Sequence, residues 1–341
     1  MKRLLVVIVS SLLTLALMEV AFRALSVKRF ERALDAYKHD TYASAPGTDH
    51  LYTMQPDVAR EARVSKEPDA WTWNYTTDGA GRRVVPDRTA DAGGGGQRVV
   101  ALGDSYTFGW GVDDEHTYPA QLERRLRDEY GLEGVEVINA GTPGFNTMQE
   151  ASYLASRWEE LRPDVVVLGF VMNDAEPPRS APRDPRERYC EASIWLWEEL
   201  LLRTGWTDGA LTSRAQRQRA YPLQFAPGAP ERALCRRSLG EIAERCAEHA
   251  VPLLLFITPA TNALPRTPAD SYRYEGIHRV VQGWGEELGL ATVDLLPLFV
   301  NDERRLDRES LLVPGDGHPS ELALGIFAEA MAPSVAEALG E

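Results

Sequence analysis

The amino-acid sequence predicts an α/β protein in which a five-stranded parallel sheet is covered by helices on both faces. The first observation is a set of short apolar runs bounded by polar or glycine residues, which is typical of buried parallel strands. These runs are residues 99–102, 135–138, a run that begins at Val165, 251–257 and 291–294. The second observation is that segments with apolar residues at helical spacing alternate with the runs. These segments are residues 118–130, 147–161, 233–247, 272–288 and 320–339.

The composition bounds the class of protein. The chain has 341 residues, a formal net charge of −14 and a sequence pI near 5.0. This acidic balance argues against a nucleic-acid partner, because no basic surface is available to displace counterions. The cysteines Cys190, Cys235 and Cys246 lack the spacing of a metal site, and we expect neither a metal nor a cofactor. In an oxidising compartment Cys190 could pair with one of the other two; the alternative is three buried thiols.

Residues 1–27 have the pattern of a secretory signal or membrane anchor. Lys2 and Arg3 precede an apolar run of about 15 residues, which fits the apolar region of a signal sequence. The run is shorter than the roughly 20 residues that a full span needs. No convincing small-residue cleavage site follows it, and no cysteine is available there for lipid attachment. We therefore predict an uncleaved N-terminal anchor, with the bulk of the protein facing the periplasm or the cell exterior. The alternatives are a cleaved signal peptide with a secreted enzyme, and a buried core helix.

Residues 28–97 form an N-terminal extension before the predicted sheet. Within it, residues 71–77 alternate bulky and polar side chains, as a half-buried strand does. A turn at residues 78–81 and a returning strand at 82–85 would complete a small β-hairpin. The glycine run at residues 93–96 predicts a flexible tether. The main domain then spans residues 98–341.

One stretch, residues 98–111, places a serine directly after a predicted buried strand. It reads RVVALGDSYTFGWG, so that Ser105 follows Gly103 and Asp104. Open α/β sheets place their ligand crevice at this end of their strands. The next helical pattern begins near residue 118, so we expect Ser105 on a loop. There its hydroxyl and nearby backbone N–H groups could serve acyl transfer. Taken alone, the stretch indicates only an ordinary strand-to-loop turn, because Gly, Asp and Ser are common turn residues.

Three further motifs follow in chain order. Residues 139–144 read NAGTPG after the second strand, residues 169–174 read GFVMND at the end of the third, and residues 316–320 read DGHPS before the last helix. Each motif is weak by itself. The set of GDS, glycine loop, Asn-Asp pair and D-x-H-P in this order resembles the SGNH (GDSL-type) hydrolase superfamily. The resemblance covers the chain from about residue 98 to the C-terminus, with one long insertion.

The resemblance implies a fold and a set of site residues. The fold would be the three-layer α/β/α, flavodoxin-like arrangement of that superfamily. Ser105 would be the nucleophile, His318 the general base and then the general acid, and Asp316 the group that orients the imidazole. The oxyanion hole would be formed by the N–H groups of Ser105 and Gly144 and the side chain of Asn173. No metal or cofactor takes part in this chemistry.

Asp316 departs from the family pattern. The family usually places its aspartate three residues before the histidine, where this chain has Gly315. Asp316 is two residues before His318, a spacing that related acetyltransferase-like members use. Residues two apart in an extended segment point the same way, so Asp316 could still contact the ring. The α/β-hydrolase fold fits less well, because its G-x-S-x-G turn needs glycine where this chain has Thr107.

The insertion, at about residues 175–232, is longer than a plain crossover needs. Its first part, residues 177–188, is rich in proline and arginine, and residues 194–202 form a very apolar run. A helix packed on the body of the domain explains the apolar run most simply. The alternatives are a lid or acyl pocket above the site and a second membrane contact.

We therefore expect a membrane-anchored bacterial serine esterase or deacylase that hydrolyses acetyl or short acyl esters of a small molecule or a glycan. An O-acyltransferase acting on cell-envelope glycans would share the site and differ in whether sugar or water accepts the acyl group. A non-catalytic glycan-binding or scaffold protein on the same fold is the rival from another class. The complete set of Ser, Gly, Asn and His argues against that rival.

Overall fold

A computed structural model of the chain describes residues 41–45, 47–64, 69–86, 96–177, 221–265, 271–300 and 307–340. Residues 41–43, which include the start of strand β1 (Tyr42–Ser44), belong to one compact unit of the chain. The residues described from Ser44 onward belong to a second unit, which carries the other helices and strands of the described residues. The predicted anchor at residues 1–27, the apolar run at 194–202 and Cys190 lie outside the described residues.

The N-terminal extension contains a hairpin that the sequence does not predict, and the predicted hairpin is reduced to a turn and an isolated bridge. Its strands are β2 (Tyr52–Met54), β3 (Ala59–Arg63) and β4 (Thr72–Thr76), and β3 pairs with β4 in antiparallel fashion. The strand predicted at residues 71–77 is therefore present, and its strand partner, β3, precedes it. The predicted turn at residues 78–81 is also present, because the N–H of Asp78 donates to the carbonyl of Arg82 at 2.8 Å. Residues 82–85 return only through the isolated antiparallel bridge of Thr77 with Arg83, and Arg83 also bridges to Asn139. The sequence of β3, AREAR, contains no apolar residue larger than alanine, so hydrophobic alternation could not reveal it.

Five parallel strands form the centre of the second unit. They are β5 (Arg98–Gly103), β6 (Glu136–Gly141), β7 (Val165–Phe170), β8 (Leu253–Ile257) and β9 (Ala291–Asp294). Their order in the sheet is β6-β5-β7-β8-β9. Counted along the chain from β5, this is the flavodoxin-like order 2-1-3-4-5. All six residues of β7 are buried, as expected for a strand covered on both faces. The predicted five-stranded parallel sheet is confirmed.

Helices cover both faces of the sheet. They are α1 (Ser105–Phe108), α2 (Tyr118–Tyr130), α3 (Thr147–Leu161), α4 (Pro230–Glu248), α5 (Glu275–Leu288), α6 (Pro297–Val300) and α7 (Glu321–Leu339). Alternate residues of a strand point to opposite faces. Val100 and Leu102 of β5 accordingly pack with residues of α3, α4 and α5, whereas Val99 and Ala101 pack with residues of α2 and α7. The predicted three-layer arrangement and the five predicted helices are present.

Helix α7 is apolar because it is a core helix. Among the described residues it alone is long and apolar enough to cross a membrane. Leu324, Phe327 and Met331 on α7 are fully buried and belong to the same apolar cluster as Leu122 of α2. The hydrophobic face of α7 is thus covered by the domain itself.

The two described cysteines are buried on α4. Cys235 and Cys246 are both free thiols. Burial raises the pKa of Cys246 to about 12, and burial, followed by the neighbouring Asp174 carboxyl group, raises the pKa of Cys235 well above its ordinary value. Both groups are therefore neutral, unreactive thiols at physiological pH.

Candidate active site

Three neighbouring strands bring the predicted site residues to one edge of the sheet. The register places Gly103 at the end of β5 beside Gly141 of β6 and Gly169 of β7. Ser105, Gly144 and Asn173 each follow one of these strands within three residues. The strand order reverses at β5, and open α/β sheets bind their ligands at such a reversal.

Ser105 is the first residue of a one-turn helix, where the sequence predicts a loop. Asp104 caps this helix, α1, because its Oδ1 accepts the N–H of Tyr106 at 2.8 Å. Gly109 ends the helix in the left-handed conformation, with φ of 80°. One helical turn is too short to show an apolar period, so the prediction of a loop at Ser105 was wrong for that reason.

Two glycines allow α1 to approach the strand ends closely. A Cβ atom on Gly103 would lie 2.1 Å from Thr107 Oγ1, and one on Gly141 would lie 2.2 Å from the backbone nitrogen of Phe108. Any side chain at either position would displace α1. The position of Ser105 above the sheet therefore depends on glycine at the ends of both β5 and β6.

The structure brings Ser105, His318 and Asp316 together. Ser105 Oγ lies 3.0 Å from His318 Nε2, although 213 residues separate them in the chain. His318 Nδ1 lies 2.8 Å from Asp316 Oδ1. When Nδ1–H donates to this carboxylate, Nε2 carries no proton and accepts from the serine hydroxyl. This is the geometry of a nucleophile, a general base and an orienting acid.

A tight turn explains how Asp316 reaches the ring from two residues away. The N–H of Val313 donates to the carbonyl of His318 at 3.0 Å, and the N–H of Asp316 donates to the carbonyl of Val313 at 2.9 Å. Asp316 Oδ1 also accepts the backbone N–H of His318 at 3.2 Å and the N–H of Gly317. The carboxylate is therefore fixed by its own turn before it contacts the imidazole.

Asp104 connects Ser105 to Asn173, and sequence reasoning did not single it out. This carboxylate is almost fully buried, at 1% exposure. Its Oδ2 accepts an N–H from Asn173 Nδ2 at 2.8 Å and lies 3.2 Å from Ser105 Oγ. One amide N–H of Asn173 is thereby fixed, and the second makes no hydrogen bond within the described residues. Because the one-turn helix shows no apolar period, the capping position of Asp104 could not be recognised from the sequence.

Gly144 lies in a turn after β6. The N–H of Phe145 donates to the carbonyl of Thr142 at 3.0 Å, and Gly144 has φ of 83° after Pro143, as in a type II turn. Within the described ranges of the chain, the N–H groups of Ser105 and Gly144 have no hydrogen-bond partner. These are the two backbone donors that the family resemblance assigns to the oxyanion hole.

Thr261 joins α1 to the turn that carries His318. Its Oγ1 donates to the carbonyl of Gly317 at 3.2 Å and lies 3.2 Å from the hydroxyl of Tyr106. The rings of Tyr106 and Trp110 flank the imidazole, with centroid distances of 5.8 and 6.2 Å. No sequence pattern marks Thr261, because a buried threonine after a strand looks like any other.

Two buried carboxyl groups interact with Asp104. Glu150 on α3 and Asp174 are 0% and 2% exposed. Burial, then repulsion from Asp104, raises the pKa of Glu150 well above its ordinary value. Burial, then repulsion from Glu150 and Asp104, does the same for Asp174. In the part of the chain that the structure describes, neither carboxyl oxygen of Glu150 has a hydrogen-bond partner. The environment therefore favours the neutral form of both groups.

This burial predicts a stability that depends on pH. A carboxyl group whose pKa is raised by folding binds its proton more tightly in the folded state. Its contribution to folding stability is therefore lost as the pH rises above its pKa in the unfolded state. Relative to Glu150→Gln, the wild-type free energy of unfolding should fall by up to about 1.4 kcal/mol per pH unit above roughly pH 4.5. Denaturant titrations of both proteins between pH 5 and 9 measure this difference. Parallel pH curves for the two proteins would contradict it.

Asn173 provides a prediction about the oxyanion. Asn173→Ala should lower kcat by roughly 10²–10³ and change KM little, as expected for the loss of one donor that acts in the transition state. Steady-state kinetics on a short p-nitrophenyl ester measure both constants. If KM alone rises, Asn173 binds the ground-state substrate instead.

Within the described residues, no group of three or more His, Cys, Asp and Glu side chains is arranged to hold a metal ion.

The GDSL-like Lipase/Acylhydrolase family matches residues 101–323, which is well over half of the chain. No curated protein sequence matches this chain.

Solved structures with similar chains include TesA, Axe2 and AlinE4. TesA is 20% identical with a TM-score of 0.45, and the match covers 71% of this chain and 99% of TesA. A catalytic mutant of Axe2, an acetylxylan esterase from Geobacillus stearothermophilus, is 19% identical with a TM-score of 0.44, covering 71% of this chain and 95% of Axe2. AlinE4, described as an SGNH-hydrolase family esterase, is 20% identical with a TM-score of 0.38, covering 73% and 99%.

Proposed function

Because the chain belongs to the GDSL-like lipase/acylhydrolase family and is an ester-bond hydrolase, we propose that it is a serine esterase that removes acetyl or other short acyl groups through an acyl-enzyme on Ser105. The observation that carries this proposal is the continuous line of hydrogen bonds from Ser105 Oγ to His318 and on to Asp316, at 3.0 and 2.8 Å. These groups have the contacts that nucleophilic catalysis requires.

The proposed reaction has two halves. In the first, Ser105 Oγ attacks the ester carbonyl while His318 Nε2 takes the hydroxyl proton, and the same proton then passes to the leaving alcohol. In the second, water attacks the acyl-enzyme, gives a proton to His318, and releases the carboxylic acid as Ser105 regains its proton. Asp316 holds Nδ1–H throughout and stabilises the imidazolium between the two transfers.

The oxyanion forms in both halves and needs donors that are already in place. The N–H groups of Ser105 and Gly144 and the second amide N–H of Asn173 are the donors we assign to it. Asp104 supports this assignment, because its bond to Asn173 at 2.8 Å fixes the orientation of that amide before substrate arrives. The serine hydroxyl has one proton and two possible acceptors, His318 and Asp104. Its contact to His318, at 3.0 Å, is shorter than its contact to Asp104, at 3.2 Å, which favours His318 as the acceptor of that proton.

The partition of the acyl-enzyme tests hydrolysis against transfer. Purified enzyme should release acetate from an acetyl ester at the same rate with and without a glycan acceptor. Acetate release by ion chromatography and mass spectrometry of the glycan measure the two products. Acetylated glycan formed at the expense of acetate would replace the esterase by the O-acyltransferase.

We also propose that residues 1–27 anchor the enzyme in a membrane with the catalytic domain outside the cytoplasm. The support is the positive start followed by the apolar run. Full-length protein should fractionate with membranes, and protein that starts near Val27 should be soluble and active. A processed full-length protein in the soluble extracytoplasmic fraction would indicate a cleaved signal instead.

A further inference from the structure

We propose that Arg83, which lies before the segment matched by the hydrolase family, is a positioning residue for the catalytic serine. It acts through the nucleophile loop, which we define as residues 104–114. The proposal rests on the proposed role of Ser105 as nucleophile. It assigns to the N-terminal extension a part in catalysis that the family match, residues 101–323, does not include.

The side chain of Arg83 is buried, with no exposed surface. Its guanidinium has five N–H donors, and all five directions are used. Nε donates to Asp114 Oδ1 at 2.7 Å, Nη1 to the carbonyls of Phe108 at 3.0 Å and Gly109 at 2.7 Å, and Nη2 to the carbonyls of Val112 at 2.6 Å and Asn74 at 3.1 Å. Four of these five acceptors belong to the nucleophile loop. The loop is therefore organised around a cation that another part of the chain supplies.

These carbonyls need an external donor. Phe108 and Gly109 stand at the end of α1, where helical carbonyls have no partner within the helix. The guanidinium provides those partners, and its carbon also lies 4.9 Å from the centre of the Phe108 ring. Without Arg83 the buried carbonyls of Phe108 and Val112 would lose the hydrogen bonds they accept from it, and that of Gly109 would keep the N–H of Val112 at 3.3 Å. The loop would then have to rearrange to find water or new donors.

A short hydrogen-bond path connects Arg83 to Ser105. The N–H groups of Gly109 and Trp110 donate to the carbonyl of Ser105 at 3.0 and 2.9 Å. The carbonyl of Gly109 in turn accepts from Arg83. The peptide that follows Ser105 is thus two hydrogen bonds from the guanidinium. Trp110, whose ring lies 6.2 Å from that of His318, belongs to the same loop.

The second anchor of the loop is Asp114. Its Oδ1 accepts from Arg83 and, at 3.2 Å, from the backbone N–H of Thr76 on β4. Asp113 similarly accepts the N–H of Asn74 at 2.6 Å, and the Trp71 indole donates to the carbonyl of Gly111 at 2.7 Å. The extension therefore holds the loop at several points, with Arg83 at the buried centre.

Arg82 provides a matched control next to Arg83. It pairs with Asp78 at 2.8 Å and Glu160 at 3.0 Å, and its side chain is 20% exposed. None of these contacts reaches the nucleophile loop. Leu239→Ala provides a second control that loses stability away from the loop. Leu239 lies on α4 and is fully buried in the apolar cluster that contains Val100 and Leu102.

The test compares Arg83→Lys, Arg83→Met, Arg82→Met and Leu239→Ala with the wild type. A fluorophosphonate probe counts competent serines and reports how fast they react. We expect kcat per labelled serine to fall roughly 10- to 100-fold in Arg83→Met, since small displacements of a reacting group have large effects on rate. Arg83→Lys, with three donors, should fall less, and KM should change by no more than a few-fold in either variant. Both controls should keep wild-type kcat per labelled serine, whatever their loss of folded protein.

The outcomes separate the proposals. A wild-type kcat per labelled serine in folded Arg83→Met would overturn the positioning role. If Arg83→Met does not fold, Arg83→Lys and Asp114→Asn decide in its place, and wild-type kcat per labelled serine in both would overturn the role. A wild-type enzyme that the probe does not label at Ser105 would overturn the proposed function and, with it, the role of Arg83.

Discussion

Replacing Ser105 with alanine should abolish measurable hydrolysis of short p-nitrophenyl esters, with a loss in kcat on the order of 10⁶. The physical reason is that no acyl-enzyme can form without the hydroxyl that lies 3.0 Å from His318 Nε2. The fold should be intact by circular dichroism, because the bonds of Asp104 to Tyr106 and Asn173 do not involve the serine side chain. Initial rates and labelling with a fluorophosphonate probe measure the effect.

Ser156 supplies the control for this experiment. It is an exposed serine on α3 whose hydroxyl donates to the carbonyl of Tyr153 at 3.0 Å. Ser156→Ala should keep full turnover and full labelling, which excludes a general effect of losing one hydroxyl. Unchanged turnover in Ser105→Ala would end the serine esterase mechanism.

Asp316→Asn should produce the second large loss, approaching 10⁴ in kcat, with His318→Ala at least as severely impaired. The Asp316 carboxylate lies 2.8 Å from His318 Nδ1 and accepts two backbone N–H groups. In Asp316→Asn, the new side-chain amide either turns its NH₂ group toward the ring or leaves the imidazolium without a countercharge. The first outcome fixes the wrong tautomer and the second raises the energy of the transition state. The ratio of the kcat values of the two variants is the measurement.

Asp307 is the matched control for Asp316. It is an exposed aspartate nine residues earlier, so Asp307→Asn should behave as wild type. An Asp316→Asn enzyme within a few-fold of wild type, beside an inactive His318→Ala, would reduce the site to a Ser-His dyad. Equal and severe losses in Asp316→Asn and His318→Ala support the full triad.

The sheet could be predicted because its central strands are buried on both faces. The runs at β5, β7 and β8 are almost wholly apolar, and such runs are visible without any partner. The same reasoning located Ser105 and Asn173, since polar residues that directly follow buried strands collect at one sheet edge. The contact between Asp316 and His318 depends on a turn that is held by the hydrogen bonds of Val313. The two-residue spacing permits this turn but does not require it.

The sequence did not reveal the buried polar residues around the site. Asp104, Thr261 and Arg83 are 1%, 0% and 2% exposed, yet each is a residue type that is usually on the surface. Their burial results from partners far away in the chain, such as Asp114 for Arg83, 31 residues later. A histidine paired with an aspartate does not by itself identify the site. His278 and Asp294 form such a pair at 2.7 Å, and within the described residues no serine contacts the His278 ring.

The distance along the chain between Ser105 and His318 has a consequence for when the enzyme can act. At about 5–20 residues per second, a ribosome needs roughly 10 to 40 seconds to make the 213 residues that separate them. Throughout that interval the growing polypeptide contains Ser105 without the histidine that we propose as its base. On the proposed mechanism, a fragment released before His318 is made should be inactive. The proposed catalytic pair is therefore complete only after the segment that carries His318 has been synthesised.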